Sequence, residues 1–184
     1  REIVTICALW LALMLFFSTT TSGFATTNNI FNLLRQVSIM ALLSVGMTAV
    51  VCSGGIDLSI GGQVTIVSVF VAKLNVDMGV DIWVSMLIGL LIGAVIGFFN
   101  GLVFVTTTLA MMTILQGLAY TVTNAKSIYG LDEAIQFLGQ GYVGAVPIPV
   151  ILAVIIMVIG AFVFKRTYIG RYFYAVGSNE EAAR

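Results

Sequence analysis

Five long stretches of this chain, 3–34, 36–56, 58–72, 82–125 and 134–164, contain no charged residue. The longest runs for 44 residues, from 82 to 125. A chain whose charges are confined to short breaks cannot cover a water-facing surface. Only 9% of the 184 residues are charged, against about 25% in an ordinary soluble domain. The pattern excludes a soluble enzyme, a nucleic-acid binder and a disordered tail. It indicates an integral membrane protein whose solvent is lipid.

Eight basic and eight acidic residues leave no net charge, and so no electrostatic footprint for DNA or RNA. There is no histidine, and Cys7 and Cys52 both lie inside apolar runs. They form neither a disulfide framework nor a metal-ligand set, and packing is their expected role. No GxxxxGK[ST] loop is present to hold nucleotide phosphates. The run Ile3–Phe17 has the look of a signal peptide, but no small-x-small cleavage site closes it and more apolar runs follow, so a membrane anchor is expected. The chain opens on Arg1 and stops at Arg184, and a fragment is expected.

A spanning helix needs roughly 20 apolar residues. The runs predict an all-α, polytopic transmembrane bundle of about six hydrophobic helices, over 3–20, 34–53, 59–75, 82–104, 107–123 and 147–165, with Thr106, Thr107 and Thr108 dividing the longest run. The runs are continuously apolar, which argues against barrel strands. Residues 18–33 and 124–146 read as the two long connections, the second leading into Pro147 and Pro149, which suit a first helical turn. Residues 1–165 would form the membrane domain and 166–184 a cytoplasmic segment. Six crossings put both ends on one face, with Arg1, Lys165, Arg166, Arg171 and Arg184 there against Arg35, Lys73 and Lys126 opposite. The positive-inside rule then places both ends in the cytoplasm.

Ser53-Gly54-Gly55-Ile56-Asp57-Leu58-Ser59-Ile60-Gly61-Gly62 interrupts an apolar stretch. A carboxylate at mid-bilayer costs about 2.5–3.5 kcal/mol, so Asp57 should lie at an interface, in a wet cavity or against a helix N-terminus. The segment reads either as a cap in a tight turn or as a discontinuous helix beside a permeation path. Beyond it, Gly61, Thr65, Ser68 and Ala72 share one helical face, which suits close packing or a polar lining. Gly89, Gly93, Gly97 and Gly101 recur every four residues and predict tight helix contact, with Asn100 placed to bond across helices. Thr106, Ala110, Thr113 and Gly117 share a further face, flanked by Gln116, Tyr120 and Thr121. That face suits either interhelical bonding or solute hydroxyls. In the tail, Gly177 is expected to end a short aromatic segment, and Ser178 or Asn179 to cap a new helix with Glu180 and Glu181 in its first turn.

Three of these segments carry a resemblance. Gly54 to Gly61 resembles the GGIDLSVG motif of bacterial ATP-binding cassette (ABC) transporter permeases of the ribose, xylose, arabinose and galactose type. Thr108 to Gly117 resembles their TLGMMTLLRG stretch, and Gly170 to Arg184 their GRYIYAIGGNEEAAR segment. Departures fall on the candidate polar face: Gln116 stands where the family often has Arg, Ala110 where it has Gly, and the preceding proline is absent. The resemblance implies that the chain is the N-terminal half or slightly more of an inner-membrane importer subunit. It implies a second permease copy, an extracytoplasmic solute-binding protein and a separate ATPase that holds the ATP. No cofactor and no catalysis are then expected in this chain.

On this reading Asp57, Ser59, Thr65, Ser68, Thr113, Gln116 and Tyr120 border the solute's path. Gly170, Arg171, Gly177, Asn179, Glu180, Glu181 and Arg184 engage the ATPase. An uncharged lining fits a sugar or another neutral hydrophilic solute, with nucleosides and signalling molecules as alternatives. An ion-coupled secondary transporter is a competing class. It needs titratable groups in the membrane, for which Asp57 is the candidate within the first five helices.

Overall fold

The computed structural model describes residues 2–101 and 105–178. They form an all-α bundle of α1 (Glu2–Thr20), α2 (Thr27–Cys52), α3 (Ile60–Val76), α4 (Ile82–Gly101), α5 (Val105–Thr123), α6 (Glu133–Gln140), α7 (Ile148–Arg166) and α8 (Tyr168–Ser178). A two-residue hairpin precedes α7, with β1 (Tyr142–Val143) antiparallel to β2 (Val146–Pro147) and Tyr142 opposite Pro147. Four described helices, α1, α2, α4 and α7, are long and apolar enough to cross a membrane. α3 is apolar but has 17 residues, about 26 Å at 1.5 Å per residue.

Three features differ from the sequence expectation. First, α2 starts at Thr27 instead of 34 and reaches 26 residues, about 39 Å. The Thr26 side chain accepts from the Asn29 amide, and Asn29 Nδ2 donates to Phe24 O at 2.7 Å. Local capping thus starts the helix in a stretch whose composition reads as a turn. Second, 124–146 is not a plain loop. Asp132 caps α6, its carboxylate accepting from the Ala134 amide at 2.8 Å. Third, Gly177 does not end the aromatic segment, because α8 continues through it to Ser178. A Cβ at Gly177 would collide with the Cys52 carbonyl oxygen, so the bare glycine lets α8 lie on the end of α2. Asn179, Glu180, Glu181 and Arg184 lie outside the described residues.

The bundle packs as two groups. In one, α3 lies between α4 and α5, around Ile66, Leu115 and Ala119. In the other, α2 packs on α7, where a Cβ at Gly160 would stand 2.7 Å from Val45 Cγ1. α8 crosses both α2 and α7 at one end, and α6 packs on α7 at the other. The inner face of α8 is set by Gly170 on the Phe164 backbone, Phe173 with its ring 5.9 Å from Phe164, and Gly177. The Cys52 thiol beside its Tyr174 holds the phenol above its usual range. α1 buries no residue, and Leu11, Met14, Leu15, Ile30 and Leu33 line an apolar groove between it and α2.

The glycine ladder is used over half its length. A Cβ at Gly89 would meet Val71 Cγ2 at 2.5 Å, and one at Gly93 would meet Val67 at 3.7 Å. Gly97 and Gly101 face nothing within 4 Å among the described residues. The closest backbone approach of α4 to α3 along this glycine face is therefore made at Gly89, while toward Gly101 the face no longer points at α3 and Asn100 makes the contact instead.

Candidate translocation site

The chain leaves α2 at a glycine turn. Gly54 takes φ +81°, a left-handed conformation that an L side chain rarely adopts. The Gly55 amide closes the helix on Val50 O at 2.9 Å. Residues 53–59 are non-helical, and α3 begins at Ile60.

A polar knot ties this break to the neighbouring helices. Asp57 Oδ1 accepts from the Ser59 amide at 2.8 Å and from Ser59 Oγ at 2.6 Å. Gln63 Nε2 donates to Asp57 Oδ2 at 2.9 Å and to Ser59 Oγ at 2.8 Å. Asn100 Nδ2, at the end of α4, also donates to Ser59 Oγ. The Leu58 amide donates to Thr108 Oγ1 on α5 at 3.2 Å. Ser59 is 0% exposed, Thr108 2% and Asn100 5%. Ser59 occupies the cap position of α3 without capping it through its side chain. The carboxylate of Asp57, two residues earlier, lies against that N-terminus, where the helix dipole favours a negative charge. Its hydrogen bonds hold it inside this packing contact. Gln63 and Thr108 belong to the knot although neither stood out as a site residue. The available signal was spacing, since Gln63 follows Ser59 by four positions and shares its helical face.

At the other end of α3 lies a cleft of about 380 Å³ between α3, α5 and the chain that follows α5. Thr65, Ser68 and Tyr120 converge on it, joined by Thr123, Lys126 and Ser127. The last two arrive through an uncommon turn, in which Asn124 and Ala125 take φ +52° and +55°. Consecutive left-handed non-glycine residues cost energy, and here they fold the chain back onto the end of α5, with the Ala125 amide bonded to Tyr120 O at 2.9 Å. The cleft lining includes one charged residue, Lys126, and no carboxylate. Leu131 closes one side, and the Asp132 amide anchors that loop to Asn75 Oδ1 at 3.0 Å.

The structure thus divides the sequence-predicted site residues. Thr65, Ser68 and Tyr120 share the cleft, while Asp57 and Ser59 lie in the knot with Asn100. Thr113 and Gln116 join neither; the Thr113 hydroxyl bonds back to Leu109 O at 3.2 Å and Gln116 is half-buried. Gly170 is buried on the inner face of α8 against the Phe164 backbone, and Arg171 stacks over the Tyr168 ring at 4.5 Å.

Residues 29–184 match the family "Branched-chain amino acid transport system / permease component". The chain belongs to this permease family. It is 42% identical to a ribose import permease protein of Bacillus subtilis (strain 168), over 84% of this chain and 51% of that protein. It is 34% identical to the ribose import permease protein of Escherichia coli (strain K12), over 95% of this chain and 57% of that protein. It is 26% identical to the xylose transport system permease protein of the same strain, over 100% of this chain and 64% of that protein. The permease chain spans about half the length of the ribose relatives it matches. No solved structure matches it.

Proposed function

We propose that this permease carries a sugar or a related neutral hydroxylated solute across the bacterial inner membrane, as the membrane subunit of an ABC importer. The observation that carries the reading is the cleft at the far end of α3: five hydroxyl side chains, a tyrosine among them, around a space that contains no carboxylate. An amino-acid zwitterion needs groups of both signs, and Lys126 supplies one sign alone. Sugar hydroxyls need hydrogen-bonding partners and no counter-charge. The names of the ribose and xylose relatives agree with that chemistry.

Energy for transport would come from a separate ATPase and solute from an extracytoplasmic binding protein, with a second permease copy completing the pathway. The ATPase would engage the end that carries α8. Lys165, Arg166 and Arg171 gather there, which favours that end as cytoplasmic and puts the cleft toward the outside. Asp57 is engaged by Ser59 and Gln63, an arrangement that suits a fixed structural carboxylate better than a proton relay.

The test is uptake of radiolabelled D-ribose into proteoliposomes holding the complete transporter, with the loaded binding protein outside and ATP inside. Uptake is expected with ATP and absent without it. Accumulation driven by an ion gradient alone, with no nucleotide, overturns the reading.

A further inference from the structure

The cleft carries a hydrogen-bond polarity. Thr65 Oγ1 donates to Gly61 O at 2.8 Å, Ser68 Oγ to Val64 O at 2.7 Å and Thr123 Oγ1 to Ala119 O at 2.9 Å. A hydroxyl has one hydrogen and two acceptor lone pairs. Each of these three has committed its hydrogen to the preceding turn of its own helix, so the wall offers the cleft oxygen lone pairs only. The uncommitted donors are elsewhere. The Tyr120 hydroxyl, the Ser127 hydroxyl and the Lys126 ammonium form no side-chain hydrogen bond among the described residues. Two of these three come from the left-handed turn after α5. The cleft therefore presents acceptor oxygens from Thr65 and Ser68 on α3 and Thr123 on α5, and free donors from Tyr120 and the turn after α5.

We infer that this polarity selects the solute: it is bound hydrogen-first, with its hydroxyls donating to Thr65, Ser68 and Thr123 and an ether or carbonyl oxygen accepting from Tyr120, Ser127 and Lys126. The chemical class is a cyclic polyol with a ring oxygen. A molecule whose polar groups only accept finds no partner on the α3 wall. The inference rests on the reading of this cleft as part of the solute's path and adds what that path requires of the solute.

Fluorine separates the two sides of a hydroxyl, because it accepts weakly and cannot donate. Saturation-transfer NMR on the complete transporter in lipid nanodiscs would compare D-ribose with its 2- and 3-deoxy and 2- and 3-deoxyfluoro derivatives. At one position or both, the deoxy and deoxyfluoro compounds are expected to lose contact together, by about fivefold or more, as loss of one hydrogen bond implies. Thr65→Val should weaken D-ribose contact similarly, while Thr65→Ser should preserve it. Deoxyfluoro derivatives that match D-ribose while the deoxy compounds fail would overturn the inference, as would absence of any D-ribose contact. The wild-type analogue series decides even if Thr65→Val fails to fold. Loss of ATP-driven uptake with the analogue pattern intact would support the polarity and overturn the importer reading. Intact uptake with no distinction between D-ribose and the deoxyfluoro compounds would do the reverse.

Discussion

The two ends of α3 use the same kinds of side chain for opposite purposes. At its head, the Ser59 hydroxyl and the Gln63 amide bond across the break, Asn100 reaches in from α4, and Thr108 holds the Leu58 amide from α5. Further along, Thr65 and Ser68 turn their hydroxyls back onto their own helix and leave a space in front of them. In an apolar medium a polar group needs a partner. Bonds between helices make the partner part of the fold. A bond within one helix satisfies the hydroxyl without fixing anything around it, which leaves the oxygen available to a visiting solute. Polarity alone does not mark a transport path; where the hydrogen bond goes is the better guide.

The largest expected effect is at the knot. Ser59→Ala removes the hydroxyl that receives Asn100 and Gln63 and leaves buried donors unpaired, at a cost of about 2–3 kcal/mol. Thermal or SDS-titration unfolding of the purified permease would measure it. A loss under about 0.5 kcal/mol, the range of an uninvolved surface change, would show that the knot does not hold the helices together.

Much of this arrangement could be read in advance. Paired glycines with Asp57 and Ser59 announce a break between two apolar runs, and the spacing of Thr65 and Ser68 announces a polar stripe. Which stripe meets which is settled by packing. Thr65 and Thr113 look alike as hydroxyls on helical faces, yet only Thr65 reaches the cleft. Its partners Lys126 and Ser127 depend on two consecutive left-handed residues, Asn124 and Ala125, and alanine carries no signal for that conformation. The glycine ladder shows the same limit: a period of four drifts around a helix of about 3.6 residues per turn, so Gly89 meets α3 and Gly97 meets nothing among the described residues. α6 was hidden because the glycines around it outweigh a short capped segment, and α8 because glycine ends helices more often than it seats one on another's carbonyl.

A middle-sized effect sharpens the contrast through glycine. A Cβ at Gly62, beside the knot, would stand 2.8 Å from Met112 O and 3.0 Å from Met112 Cα. These are backbone atoms, so α5 itself must move. Gly62→Ala should cost about 1–2 kcal/mol. Gly117→Ala, on α5 with nothing within 4 Å among the described residues, should be neutral or stabilising by up to about 1 kcal/mol through helix propensity. The same unfolding measurement compares them. Equal losses would mean that α3 and α5 are pressed together along their whole length, with no room left for a cleft.

The smallest expected change in stability is also the sharpest test of the contrast. Tyr120 is 65% exposed, and its hydroxyl has no hydrogen-bond partner among the described residues. Tyr120→Phe removes that oxygen and keeps the ring, so stability should stay within about 0.5 kcal/mol of the parent. ATP-driven D-ribose uptake should nonetheless fall by about two- to fivefold, the effect of one modest hydrogen bond. Both numbers come from one purified variant, by unfolding and by proteoliposome uptake. The knot variant Ser59→Ala should move the first strongly, and Tyr120→Phe the second alone. If Tyr120→Phe instead destabilised the permease by more than about 1 kcal/mol, the cleft hydroxyls would be holding the fold as the knot does, and the two ends of the α3–α5 unit would no longer differ in kind.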